Sequence, residues 1–180
     1  MVMVHSDDKG LVLPPRVAKT QVVIVPAGIG KGTASAEVVA SLKTKCSEHY
    51  ETLKAAGIRV HLDLRDTVST GFKFSDWELK GVCVRLELGP RDMEAKVLAA
   101  CRRDTGEKGI AIKEESLAAD VTALLATIQT EMLARAQKDA DEGIAVIKDW
   151  ADVMPTLAAK KVMQIPFCGG KDCEGQIKDM

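Results

Sequence analysis

Aromatic residues are scarce in this chain: three Phe, two Trp and one Tyr among 180 residues. Val, Ile, Leu, Ala and Met must therefore fill any core, and a local cluster of rings stands out. No run of eighteen apolar residues occurs, which argues against a membrane span. The opening MVMVHSDDKG carries acids where a signal peptide carries bases, so no targeting segment is read. The five cysteines, an odd number without regular spacing, make no disulfide framework and fit a reducing, cytoplasmic setting. A charge excess is missing too, since the formal net charge is -1. The charges are nevertheless uneven. Residues 1–108 hold 17 Lys/Arg against 14 Asp/Glu, and the remainder hold 8 against 12. That allows a local basic face but not non-specific capture of nucleic acid through phosphates alone.

Nucleotide fingerprints are also lacking. The loop Gly28-Ile-Gly-Lys-Gly-Thr33 lies between a strand and a helix, where phosphate loops occur. Val25 occupies the place of a P-loop's leading glycine, Gly32 the place of its Ser or Thr, and Thr33 that of the dinucleotide motif's third glycine. A flexible turn is the better reading. His5, His49 and His61 have no spacing that suggests ligands or a triad, and His49 is expected half-exposed on a helix. No catalytic constellation can be assembled.

An alternating pattern of strands and helices is present. Leu11-Val-Leu-Pro-Pro15 reads as extended chain. Gln21-Val-Val-Ile-Val-Pro26 reads as a strand covered on both faces. A helix beginning near Thr33 carries the stripe Val38, Leu42, Cys46, Tyr50 and Leu53 and stops at Gly57. Ile58–Leu62 is a second strand, parallel to the first across a right-handed crossover. Thr67–Lys80 reads as loop with a short helical turn, Val82–Leu88 as a strand and Gly89-Pro90 as a turn. Ala95–Arg103 and Gly109–Lys113 form a hairpin about Asp104–Lys108. The last long helix follows Ser116, with stripe Leu117, Val121, Leu124, Ile128 and Met132, and frays into Gln137–Glu142. Composition breaks at Gly143. Beyond it, short strands at Ile144–Lys148 and Val162–Ile165 flank a brief helix limited by Pro155, and 166–173 is loop. So few residues make no self-sufficient core.

Three of the six rings, Phe72, Phe74 and Trp77, fall within six residues and alternate with Lys73 and Lys80. Single-stranded RNA suits that mixture, because unstacked bases lie on rings while cations hold the backbone. Taken singly, Phe74 and Trp77 read equally well as core residues of a short helix. Glu78, Arg85 and Lys108 suit guanine: its N1–H and N2–H donate to a carboxylate, and its O6 and N7 accept from Arg or Lys. Adenine, with a donor at N6, would be rejected.

These words resemble the anticodon-binding domain of class II prolyl-tRNA synthetases of the archaeal and eukaryotic type. The resemblance rests on Leu11–Ala18, Gln21–Pro26, Asp63-Leu-Arg-Asp66, Gly71–Phe74 and Trp77-Glu-Leu-Lys-Gly81. Further words are Arg85-Leu-Glu-Leu-Gly-Pro-Arg-Asp92 and Arg103-Asp-Thr-Gly-Glu-Lys108. Gln164-Ile-Pro-Phe-Cys-Gly169 and Cys173 resemble the start of the family's C-terminal zinc-binding domain. The sequence departs from the family at Ser6, where Gly is usual, at Thr70-Gly71-Phe72, where Pro-Gly-Trp is frequent, and at Cys83, where Pro is usual.

The resemblance implies an α/β fold, a mixed five-stranded sheet flanked by helices, with a small α+β appendage. Residues 1–20 would be a linker from a catalytic domain, 21–142 the anticodon-binding domain, and 143–180 a truncated zinc-binding-type domain. Val4–Gly10 looks like the end of the catalytic domain, whose ATP- and proline-binding segments lie upstream in the family, so proline activation is not expected of this chain alone. Two guanines of the proline anticodon would be read by Glu78, Arg85 and Lys108, with Lys73, Phe74, Trp77 and Arg103 also in the RNA site. Partners would be proline tRNA and the synthetase's own catalytic domain, with no membrane, and the chain is expected to be monomeric. No cofactor is expected here, ATP and magnesium belonging to the parent enzyme. Cys168 and Cys173 match half of a four-cysteine zinc site that needs further cysteines. Two other readings stand beside this one: a free-standing interaction or regulatory protein, and a small α/β enzyme holding phosphate on the loop after the first strand.

Overall fold

The computed structural model describes residues 2–28 and 35–178, so the loop Gly28–Thr33 lies outside it apart from Gly28. The chain divides into two compact units, 1–132 and 133–180.

The first unit contains α1 (Val2–His5), β1 (Val22–Pro26), α2 (Ala36–Ala55), β2 (Val60–Leu62) and α3 (Thr70–Leu79). It continues with β3 (Val84–Leu88), α4 (Pro90–Ala95), β4 (Val97–Arg102) and β5 (Ile110–Lys113), then a 3-10 turn and α5 (Leu117–Gly143), which runs past the unit's end. The strands form the mixed five-stranded sheet expected, in the order β2-β1-β3-β4-β5. β1 is parallel to β2 and β3, while β3–β4 and β4–β5 are antiparallel.

Alternation along the strands sorts side chains onto two faces. Val22 and Ile24 of β1, Val84, Leu86 and Leu88 of β3, and Leu98 of β4 join Leu42, Cys46 and Leu53 of α2 and the α5 stripe in one core. On the opposite face Val23, Val25 and Val82 meet Phe74 and Trp77 of α3. Every residue of β1 is buried, as its unbroken apolar run predicts. Arg85 and Glu87 alternate with the apolar residues of β3 and so lie on the α3 side. That leaves polar groups on a sheet face only partly covered by one short helix.

Several expectations need correction. The segment before β3 is a ten-residue helix rather than a short turn, because the Ser69 hydroxyl accepts from the Phe72 N–H and caps α3. Gly89-Pro90 begins α4: proline suits the first helical position, and the Asp92 carboxylate accepts from the Gly89 N–H at 2.8 Å. His49 is buried, not half-exposed, with Nε2 3.2 Å from Glu114 Oε1. In α5 the buried position is Leu125, with Leu124 only partly covered. That helix does not fray at 137–142 but continues to Gly143, helped by Gln137–Asp141 and Lys138–Glu142 pairs one turn apart. By length and composition α5 could cross a membrane, yet its apolar stripe is occupied by the sheet. Within residues 1–20, Val12 and Ala18 are buried in the core.

The second unit holds a parallel pair, β6 (Ile144–Val146) and β7 (Val162–Gln164), with α6 (Val153–Ala158) between them in sequence and α7 (Lys171–Lys178) after them. Pro155 lies in the first turn of α6, where no backbone donor is required of it. The expected loop ends at Lys171, so Cys173 is helical.

Candidate functional site

A cleft of about 170 Å³ opens between the C-terminal turn of α3, strand β3 and the turn after β4. It is well below the roughly 300–1,000 Å³ of small-molecule pockets and suits one flat ring better than a whole nucleotide cofactor. Glu78, Arg85 and Lys108, from three separate elements, all line it.

Arg85 is the most constrained of the three. It pairs with Val23 and Cys101 across the sheet and is buried. The Phe74 ring lies against its guanidinium, with Cζ 3.9 Å from the ring centroid. Arg85 Nε donates to Glu87 Oε1 at 2.9 Å and Nη1 to Glu78 Oε1 at 2.8 Å. Burial opposes its charge, but the two carboxylates outweigh burial and hold its pKa above the ordinary value. Among the described residues Nη2 has no hydrogen-bond acceptor. It is therefore a positioned donor.

Glu78 stands on the last turn of α3, its side chain 31% exposed. Oε1 is engaged by Arg85, and Oε2 accepts from no described residue. Lys108 follows the turn after β4 and is exposed. It makes no ion pair or hydrogen bond among the described residues. The cleft thus offers a half-occupied carboxylate, an oriented guanidinium and an unpaired ammonium.

The remaining anticipated residues fall into different places. Trp77 lines the cleft and is fixed by its Nε1, which donates to Asp63 Oδ2 at 2.8 Å. Its ring stacks at a tilt on His61, with centroids 4.7 Å apart, and Lys80 Nζ lies 4.6 Å from its centroid. Phe74 lies beneath Arg85 instead of facing the opening. Phe72 is not among the residues that line the cleft and is 56% exposed. The three rings therefore do not make one stacking platform. Lys73 is buried outside the cleft, with Nζ 3.4 Å from the Asp63 carbonyl oxygen, and burial lowers its pKa. It is not placed to hold an RNA backbone. Arg103 lines the cleft, and each of its three nitrogens donates within the protein, to the Glu78 carbonyl or the Asp7 carboxylate.

Two contributors escaped the sequence. Asp7 and Lys9 line the same cleft although they lie about a hundred residues from Lys108. Nothing local marks them, because their role depends on a distant contact. Asp63 was visible within Asp63-Leu-Arg-Asp66, but its function as the Trp77 acceptor was not.

Residues 21–124 match the family described as Anticodon binding domain. The chain belongs to that family. Along 100% of its length the chain is 50% identical to a bifunctional glutamate/proline–tRNA ligase of Mus musculus, covering 12% of that protein. It is 45% identical, over 98% of its length, to a putative proline–tRNA ligase of Schizosaccharomyces pombe, of which it covers 24%. A cytoplasmic proline–tRNA ligase of Arabidopsis thaliana is 39% identical over 99% of the chain, which covers 32% of that protein. The domain is thus of the prolyl-tRNA synthetase type, and it spans a third or less of these relatives.

In the second unit Cys168 Sγ and Cys173 Sγ are 3.2 Å apart and exposed. A structural zinc site needs four ligands. Among the described residues no group of three or more Cys, His, Asp or Glu side chains is placed to hold a metal. These residues therefore offer two donors and do not themselves form a tetrahedral site.

Proposed function

We propose that this anticodon-binding domain reads guanine in the proline anticodon through Glu78, Arg85 and Lys108. The observation that carries this is their convergence on one ring-sized cleft, with Glu78 Oε2, Arg85 Nη2 and the Lys108 ammonium all left without partners among the described residues. A guanine seated there presents N1–H and N2–H to the Glu78 carboxylate and O6 and N7 to the cations. Adenine would bring its N6 donor towards cations and leave Glu78 without a donor at N1. Loss of one such paired contact costs about 1–3 kcal/mol of discrimination.

The cleft supplies recognition. Activation of proline with ATP and magnesium would belong to a catalytic domain of the same synthetase, for which the tRNA and this domain act together in the cytoplasm. As an isolated chain the domain is expected to be monomeric. Cys168 and Cys173 would hold zinc only where two further ligands complete the set.

Binding of anticodon stem-loop RNAs tests the reading. A proline stem-loop carrying two guanines should bind tighter than one with adenines in their place. Glu78→Ala should remove at least tenfold of that preference while circular dichroism stays unchanged. Equal affinity of the unsubstituted protein for both RNAs would overturn it.

A further inference from the structure

Glu78 is held from outside its own helix. The last carbonyls of a helix have no partner within it. At the end of α3 the Trp77 oxygen accepts from Val82 N–H at 3.2 Å, and the Glu78 oxygen from Gly81 N–H at 3.1 Å. Two other acceptances come from distant chain. Arg103 Nε donates to the Glu78 carbonyl oxygen at 3.0 Å, and the Leu11 N–H donates to that of Leu79 at 3.1 Å. A guanidinium at a helix C-terminus is also favoured by the helix dipole.

Arg103 is in turn fixed by the N-terminal segment. Its Nη1 donates to Asp7 Oδ2 at 2.7 Å and its Nη2 to Asp7 Oδ1 at 2.6 Å, the paired geometry that gives guanidinium–carboxylate contacts their directionality. The Arg103 contact keeps the Asp7 carboxyl well below the usual carboxylate range. Two glycines let the segment come this close. A Cβ on Gly10, whose φ is +127°, would fall 2.6 Å from Leu79 Cα. One on Gly81, at φ +73°, would fall 2.7 Å from Leu11 Cβ. Backbone thus lies against backbone where the base-reading carboxylate emerges.

We infer that Asp7 is a positioning residue for guanine recognition, acting through Arg103 on the last turn of α3 and so on the Glu78 carboxylate. This rests on the proposed reading of the cleft. Arg103, anticipated as an RNA contact, has each of its three nitrogens engaged by the Glu78 carbonyl or the Asp7 carboxylate and serves as the link. Displacing the segment around Asp7 frees Arg103, removes one of the two donors to the Glu78 carbonyl and widens the range of positions open to the carboxylate. Selectivity for guanine then depends on how the residues before β1 are held.

The test uses the full 180-residue protein with the two stem-loop RNAs above. Asp7→Ala should lower the guanine-over-adenine preference about tenfold, mainly by weakening the guanine RNA. Asp7→Glu, which keeps the paired acceptor, should restore most of it. Asp7→Asn, which keeps size but only one acceptor oxygen, should fall between and serves if Asp7→Ala does not fold. The link is refuted if Asp7→Ala and Asp7→Asn keep the full preference while Glu78→Ala loses it, or if both RNAs weaken equally. If Glu78→Ala also keeps the preference, the reading of the cleft itself fails.

Discussion

The Arg85 guanidinium lies against the Phe74 ring, with Cζ 3.9 Å from its centroid, and this contact ties strand β3 to helix α3 at the floor of the cleft. Cation–ring contacts of this kind contribute about 0.5–2 kcal/mol, more when removed from water. Phe74→Leu retains apolar volume and loses the ring face. It should lower stability by about 1 kcal/mol in chemical denaturation and weaken binding of the guanine stem-loop, because Arg85 loses one of its three constraints.

Asp63 should make stability fall in acid. Burial by itself would raise its pKa, but donation from Arg65 and from the Trp77 indole outweighs burial and holds the carboxyl well below the usual range. The unfolded carboxyl takes up its proton near pH 4, while the folded one stays charged. The stabilisation is thus present above about pH 4 and is lost as pH falls towards the folded pKa, at up to about 1.4 kcal/mol per pH unit. Asp63→Asn should be destabilised at pH 7 by about 3 kcal/mol and should show a shallower acid slope in urea titrations from pH 7 to 3.

Lys108 should separate base contact from phosphate contact. If its ammonium meets a guanine acceptor, Lys108→Met reduces the preference for guanine by about 1–3 kcal/mol and leaves the preference weaker at every salt concentration. A phosphate contact would instead weaken both RNAs and reduce the salt slope by about one unit. The cleft geometry leads us to expect the first result in binding measured between 50 and 200 mM salt.

Ser6 has a hydroxyl that is buried and makes no hydrogen bond among the described residues. An unsatisfied buried hydroxyl costs about 1–3 kcal/mol. Ser6→Ala should therefore raise stability by about 1 kcal/mol, and a melting temperature unchanged or lowered would count against this account.

The cysteines should divide into two reactivity classes. Cys46 and Cys83 are buried, and burial pushes their thiols up to about 11 and about 12. Cys101 is raised by burial as well. Cys168 and Cys173 are exposed. Iodoacetamide at neutral pH should label the exposed pair first, with the other three reacting only on unfolding, as read by peptide mass spectrometry.

The sequence by itself determined the strands, the two long helices and the identity of the three base-reading candidates. These follow from local features: an unbroken apolar run at 22–25, apolar stripes at helical spacing, and charged residues within recognisable words. It misjudged elements whose start depends on one capping contact, namely α3 behind Ser69 and α4 behind Gly89. It also gave no sign of which surface each side chain would meet. Lys73 and Phe74 are neighbours in sequence, yet one is buried beside Asp63 and the other supports Arg85, because successive helical positions diverge by about 100°. Asp7 and Arg103 are 96 residues apart, and His49 and Glu114 are 65 apart. Only the folding of strands into one sheet brings such pairs within hydrogen-bond distance. Tertiary structure alone therefore decided that the N-terminal segment, α3 and the turn after β4 border a single cleft.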